Sequence, residues 1–447
     1  MASRAGWVAA LMRGWLAAGC YRLALYLVFP LIWLYLLKRA RKQPAYRLYW
    51  AERLGYYSKS MIKKGFRADT RPIWVHAVSV GEMRASQPVV QALHQRYPDS
   101  PILLSCMTPT GRATAHELFG PASGINAQVV FLPYDYPSAV ARFLAAFQPR
   151  LGLIIDTEIW PHCIEQCQRA GVPLVLANAR LSQKSLAGYL KMASLFRAVM
   201  PKFAAVLAQS PADAARLQQM GAVNVQVMGN VKFDNQIDPL LIARGQAWKN
   251  TLARKIILLA SSRDGEETLV LQGLGPLAAD TLLIIVPRHP QRFDSVAALL
   301  DAQGLHYVRR SQWQGEPTRA QVILGDSMGE MVAWYSAADV TIMGGSLLKF
   351  GSQNLIEAAA CACPVLLGPS TFNFAQASAE AIAAGAAWQG QDAAVVCQQA
   401  LAVLADASRL QAMGQAGLAF SQAHRGATQR LLTALTPYLG AADQAQR

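Results

Sequence analysis

The chain has 447 residues, too many for one ordinary domain and enough for two cores plus an appendage. Hydrophobic residues make up 53% of it and charged residues 15%, a composition that excludes a disordered chain. The net charge of +15 is not spread along the molecule: residues 1–71 hold 14 Lys and Arg against Glu52 and Asp69, a net of +12, which leaves +3 for the other 376 residues. A near-neutral body argues against a membrane-tethered nucleic-acid-binding module, and no nucleic-acid partner is expected.

The basic end sits beside an apolar run. Residues 23–37 (LALYLVFPLIWLYLL) carry no charge, and the stretch 14–21 before Arg22 is also apolar. A transmembrane helix needs about 20 apolar residues, so this run alone is short, with Arg22 placed to snorkel and Pro30 to kink it. Lys38, Arg39, Arg41 and Lys42 follow, suited to anionic headgroups of a cytoplasmic leaflet. No small-residue cleavage site precedes them, so the expectation is a retained signal anchor or a deeply inserted interfacial helix rather than a buried core helix or a removed leader.

From Arg71 onward, short apolar runs alternate with amphipathic stretches. Strands are predicted at 73–77, 102–105, 129–132, 151–155, 174–177, 204–207 and 225–228, with helices over 83–97, 138–147 and 161–170 among them. After the polar pause at Gly229-Asn-Val-Lys-Phe-Asp234 the pattern restarts, with strands at 256–260, 281–286, 306–308, 322–324, 340–343 and 365–367. Continuous apolar strands alternating with helices indicate two parallel sheets, each covered on both faces. The seven cysteines are odd in number and scattered, which favours buried free thiols in a reducing compartment over a metal site.

In doubly wound sheets, ligands bind beyond the carboxyl ends of the strands, so the residues there carry the functional reading. The first strand runs into His76-Ala-Val-Ser-Val-Gly-Glu82, where Glu82 is either a proton acceptor facing the crevice or a partner for the helix dipole. The fourth leads into Asp156-Thr-Glu-Ile-Trp-Pro161, with Asp156 a candidate cap, Glu158 a candidate partner for a base and Pro161 at a first helical position. In the second half, Ala260-Ser-Ser-Arg-Asp-Gly-Glu-Glu267, Pro287-Arg-His-Pro290, Asp326-Ser-Met-Gly-Glu330 and the glycine-rich 344–357 segment each follow a strand. Their small residues would let backbone N–H groups approach a phosphate, and Arg288 suits one by its fixed charge and fork. Asn354 and Glu357 read as a capping box, or as an amide and carboxylate set out for a ligand with phosphate and sugar hydroxyls. No dinucleotide fingerprint or P-loop is present.

Taken in order, the segments at 76–82, 156–161, 229–234, 287–290, 326–330 and 354–357 resemble the Kdo transferases, which move the acidic eight-carbon sugar Kdo from CMP-Kdo to lipid A precursor in lipopolysaccharide inner-core synthesis. The resemblance spans nearly the whole chain. It implies a GT-B fold, two doubly wound Rossmann-like domains facing a cleft, with an anchor at 1–42, an acceptor domain at 43–234 and a donor domain with closing helices at 235–447. It also implies transfer with inversion, Glu82 as general base, and Glu158 and Lys232 supporting the transition state. For the CMP site it points to Pro287 and Arg288, the turn Met328, Gly329 and Glu330, and the run Asn354, Leu355, Ile356 and Glu357. No cofactor or metal is implied, and the implied location is the inner membrane, against anionic lipids, with the catalytic domains on the cytoplasmic side. Members often carry a histidine where this chain has Gln353, and a Thr-His pair where it has Ser262-Arg263-Asp264. A nucleotide-sugar epimerase of the same fold is the alternative, expected to lack the basic apolar N-terminus.

Overall fold

The structure, a computed structural model, describes residues 4–65, 70–125 and 127–440, and for 4–16, Lys42 and 63–65 gives the backbone alone. The first three residues of the expected anchor, Arg67 and Asp69 of the basic first 71 residues, and the tail beyond 440 lie outside the described residues.

The chain forms two units, Met1–Asn235 together with Arg425–Arg447, and Gln236–His424. The first holds β1 (Ile73–His76), β2 (Ile102–Cys106), β3 (Gln128–Phe131), β4 (Leu151–Ile155), β5 (Leu174–Ala179), β6 (Ala205–Ala208) and β7 (Val225–Val227). The second holds β8 (Lys255–Ser262), β9 (Thr281–Pro287), β10 (Tyr307–Arg309), β11 (Val322–Leu324), β12 (Val340–Met343), β13 (Val365–Leu367) and β14 (Ala387–Gln389). Both sheets have seven strands, in the orders β3-β2-β1-β4-β5-β6-β7 and β10-β11-β9-β8-β12-β13-β14, with every pairing parallel. The winding direction therefore reverses between β1 and β4 in one sheet and between β8 and β12 in the other. Those switch points leave a crevice at the carboxyl strand ends.

The strands are buried on both faces because helices cover both. Along β1, Ile73 and Val75 enter one core and Trp74 the other. The Trp74 ring fits because Gly152 lies opposite it on β4: a Cβ there would stand 2.7 Å from the ring. Proline sets the start of many helices: Pro109, Pro137, Pro161, Pro211 and Pro239 all occupy the first turn, where the missing N–H costs no hydrogen bond.

Four local expectations need correction. The single helix expected over 83–97 is two, Val80–Ala85 and Gln87–Arg96, because Ser86 turns its hydroxyl onto the Met83 carbonyl and Pro88 cannot continue the ladder. Strand β14 has no apolar run to announce it. Asp156 does not cap the helix Pro161–Arg169; the buried Asp135 carboxylate accepts from His162 N (3.0 Å) and Cys163 N (2.7 Å) instead. The last helix, Ala427–Leu439, expected in the second domain, packs under the first sheet, with Leu431, Leu432, Leu435 and Leu439 in the same core as Ile73 and Val75.

The N-terminal helix Arg4–Lys42 runs through Pro30 and the basic cluster. One stretch of it, Ala17–Arg41, is long and apolar enough to cross a membrane, and it is largely unburied, so it is not a core helix. Its inner face packs on the first unit through Tyr21, Phe29, Trp33 and Leu36.

Candidate active site

In the first unit, three carboxylates and an amine meet at the β1/β4 switch point. Glu82 stands in the first turn of the helix after β1 and folds back on it: Val78 N donates to its Oε2 at 2.7 Å and Ser79 Oγ to its Oε1 at 2.9 Å. Ser79 stands at the N-cap without capping the helix, and these two donors fix the carboxylate while leaving it partly exposed. Burial raises its pKa; the two donors and the Lys232 charge pull down, and Asp156 pushes up.

Asp156 follows β4 in left-handed backbone, φ +64°, a conformation Asp tolerates better than most side chains, and its Oδ1 accepts from Thr157 N at 2.9 Å. This turn brings Glu158 back toward the strand ends. Burial first, then the negative charges of Glu82 and Asp156, push the Glu158 carboxyl up to about 7. Lys232 lies in the 3-10 turn Val231–Asp234 after β7, with its N–H bonded to Asn230 Oδ1 at 3.0 Å. The turn is pinned to the sheet by Asn178 of β5, itself at φ +54°, whose Oδ1 accepts from Val231 N at 3.1 Å. Sequence reading passed over Asn178; an asparagine ending an otherwise apolar strand was the available signal.

Burial raises both carboxyls, but the pair differ in what surrounds them. Two donors and a cation pull Glu82 back toward the carboxylate, whereas two like charges push Glu158 further toward the acid. Carboxyls whose surroundings drive them apart are how one site supplies a base and a proton carrier together.

In the second unit the candidate nucleotide residues gather on three strand ends. Arg288, exposed after β9, donates from Nε to Gln353 Oε1 at 3.2 Å. Arg263 donates to His289 Nε2 at 2.7 Å, which requires a neutral imidazole with its proton on Nδ1. Burial and the charges of Arg263, Arg288 and Arg292 all hold the His289 pKa down. Arg292 is neutralised by Glu267 at 2.6 and 2.9 Å, whereas among the described residues Arg263 and Arg288 pair with no carboxylate. Asn354 Nδ2 donates to Glu357 Oε1 at 3.1 Å, and both Glu357 and Arg288 act on the buried phenol of Tyr335, so these groups share one neighbourhood. Pro287 closes β9 and is buried; Leu355 and Ile356 are buried beneath the loop. Met328 is 60% exposed on a turn where Gly329 takes φ +83°. Glu330 ends that turn and is bound by Arg310 at 2.8 Å and Arg244 at 3.2 Å, so it holds the turn in place.

Two expectations for this unit change. The helix after the glycine-rich loop is Ile356–Ala360, only five residues, and Asn354 stands one place before its N-cap while its Oδ1 takes the Ile356 N–H at 3.2 Å. That leaves little free helix end for a phosphate. The N–H groups of Arg263, Gly345, Leu347 and Leu348 are also taken: the buried Glu266 carboxylate accepts all four at 2.6–3.3 Å. The loops are braced by an internal anion, and among the described residues the guanidinium groups here that pair with no carboxylate are those of Arg263 and Arg288.

A family model, 3-deoxy-D-manno-octulosonic-acid transferase, matches residues 49–235. The chain is 45% identical over 436 residues to the 3-deoxy-D-manno-octulosonic acid transferase of Bordetella pertussis, covering 94% of this chain and 99% of that one. It is 34% identical to the enzyme of the same name from Haemophilus influenzae, covering 92% and 96%. Among solved structures, the UDP-GlcNAc 2-epimerase of Neisseria meningitidis bound to UDP-GlcNAc superposes with a TM-score of 0.57 at 14% identity, covering 82% of this chain and 100% of that one, a likeness of fold alone. The two parallel seven-stranded sheets are those of a GT-B glycosyltransferase, and with 45% identity over nearly its full length the chain belongs to the Kdo transferases of lipopolysaccharide biosynthesis.

Proposed function

We propose that the chain transfers Kdo from CMP-Kdo to a lipid A precursor with inversion at the anomeric carbon, and that Glu82 is the general base. The observation that carries this reading is the unequal pair at the β1/β4 switch point: Glu82 fixed by Val78 N and Ser79 Oγ, and Glu158 raised to about 7 beside it. An acceptor hydroxyl gives its proton to Glu82 as its oxygen bonds to the anomeric carbon and the bond to the CMP oxygen breaks. Lys232 offsets charge among the three carboxylates, and Glu158, protonated near neutrality, is a hydrogen-bond donor to the same acceptor.

The donor is assigned to the second unit. Arg288 meets the CMP phosphate, Glu357 accepts from ribose hydroxyls through the oxygen geometry that Asn354 sets, and the turn Met328 to Glu330 bounds the base. Two guanidinium groups that pair with no carboxylate among the described residues supply the charge that a leaving phosphate needs, so the transfer is proposed to need no metal. Activity is expected to survive chelation by EDTA undiminished, measured as CMP release. The epimerase alternative shares only the fold with this chain.

The test is product analysis. Purified protein with CMP-Kdo and lipid A precursor should release CMP only when both are present, and the lipid should gain Kdo in mass, with the inverted anomer by NMR. Release of CMP without a glycosylated lipid sinks the acceptor assignment; a retained anomer sinks the single displacement through Glu82.

A further inference from the structure

From Tyr21 to Ala40 the N-terminal helix rises roughly 28 Å at 1.5 Å per residue, nearly the ~30 Å thickness of a bilayer's hydrocarbon. Over that whole length its inner face is fastened to the folded unit. The Tyr21 hydroxyl donates to Asp135 Oδ2 at 3.0 Å, the same buried carboxylate that caps the helix Pro161–Arg169. Tyr136 donates to the Leu25 carbonyl at 2.9 Å, Phe29 meets the Tyr136 ring edge-on, and Trp33 lies 4.3 Å from Trp50. Leu36 and Ala40 close the series against Tyr46. A helix crossing the bilayer in this state would carry that polar body, Asp135 included, into hydrocarbon.

The outer face is the opposite. Leu23, Leu27, Leu31 and Leu34 recur at helical spacing and are 61, 70, 60 and 61% exposed. An apolar stripe of that size on a folded surface marks a membrane or protein contact. Arg22, Lys38 and Arg41 are exposed at its ends, which selects an anionic lipid surface. The helix Ala193–Val199 packs against the N-terminal helix, and at its start Leu190 and Met192 are also exposed beside Lys184, Lys191 and Arg197. Tyr189, in the same segment, feels the charge of Glu158.

We infer that the N-terminal helix lies in the plane of an anionic bilayer, fastened along its inner face, and that the lipid surface it creates continues over Leu190 and Met192 to the rim of the Glu158 site. The bilayer holds the stripe at the acyl boundary, and an acyl-chain-bearing acceptor reaches the carboxylates without leaving its leaflet. This last step rests on the acceptor proposed above; the geometry of the helix does not.

The test uses the full chain with Cys20→Ser, which removes the one fully exposed thiol among the described residues. Single cysteines in that background, Leu27→Cys, Leu34→Cys and Met192→Cys, carry a fluorophore on vesicles of phosphatidylethanolamine and phosphatidylglycerol. Lipids with a nitroxide at acyl carbon 5 or carbon 12 then quench them by depth. In-plane binding predicts stronger quenching from carbon 5 at all three sites, with Leu27 and Leu34 at equal depth. A crossing helix separates those two by roughly 10 Å along the membrane normal and brings Leu27 to the carbon-12 level. That profile overturns the inference, as does an unquenched Met192 site or failure of the chain to bind the vesicles. Correct depths with no transfer to a lipid acceptor leave the in-plane helix standing and sink the proposed acceptor.

Discussion

Glu82 and Glu158 leave adjacent strands, yet one is surrounded by donors and the other by like charges, and the two make separable predictions. Glu82→Gln keeps the Val78 N bond on its amide oxygen and lets the Ser79 hydroxyl turn to accept from its NH2, but removes the base, so turnover should fall by about 10²-fold or more with melting temperature and CMP binding unchanged. Near-parental turnover removes Glu82 from the mechanism. For Glu158 the effect is on stability. Its carboxyl stands at about 7 in the fold against an ordinary 4.5, so between those values the unfolded chain has released a proton that the native one retains. The contribution of Glu158 to native stability is therefore complete below pH 4.5 and is lost as pH rises to about 7. Glu158→Gln should abolish that slope and leave the variant more stable than the parent at pH 8 by about 1–3 kcal/mol, with little gain at pH 5. Denaturant melts at the two pH values decide it: an equal difference at both means Glu158 does not titrate there. Glu357→Ala should weaken CMP binding roughly tenfold to a hundredfold by calorimetry. A lower melting temperature with unchanged affinity would leave the residue a structural role, such as accepting from the Asn354 amide.

Elements made of continuous apolar residues were the legible ones. Thirteen of the fourteen strands stand within a few residues of their expected places, because a strand buried on both faces must be apolar throughout. The same legibility places Glu82, Asp156, Arg288 and the 344–357 loop at strand ends from the sequence alone. What was not legible was which partner each polar group takes, since that depends on groups far apart in sequence. Glu266 is the clearest instance: it stands in the first turn of its helix, and 79 to 82 residues later the chain returns three N–H groups to its carboxylate. Glu266→Ala orphans those donors in a buried loop, so the second unit should lose roughly 3–5 kcal/mol, and Glu266→Gln, which keeps one acceptor oxygen, clearly less. Denaturant unfolding of both variants measures this, and equal losses would mean the loop is held by its other bonds.

At the scale of the molecule, the chain leaves the first unit at Asn235 and re-enters it at Arg425. Periodicity shows that the helix Ala427–Leu439 has an apolar face but not which sheet it covers, which is why 235–447 read as one domain. The return is built in detail. Asp234 accepts from Gly426 N at 2.7 Å and Thr428 N at 2.5 Å, capping the helix from the far end of the excursion. Arg430 Nε donates to the Met228 carbonyl at 2.6 Å, and Arg150 Nη2 to the Leu439 carbonyl at 2.6 Å. Burying Leu431, Leu432, Leu435 and Leu439 contributes about 6–12 kcal/mol at 1.5–3 per side chain, comparable to the whole stability of a domain. Ending the chain at His424 should therefore strip protection from the first sheet while sparing the second. Hydrogen exchange followed by peptide mass should show β1 and β4 exchanging freely and β8 and β12 protected as in the parent. Residues 236–424 expressed alone should give a protected second sheet, since no described part of its core comes from outside that span. Loss of protection in β8 and β12 of the truncated chain would mean that the last helix supports the second unit, and the division of the chain at 425 would have to be redrawn.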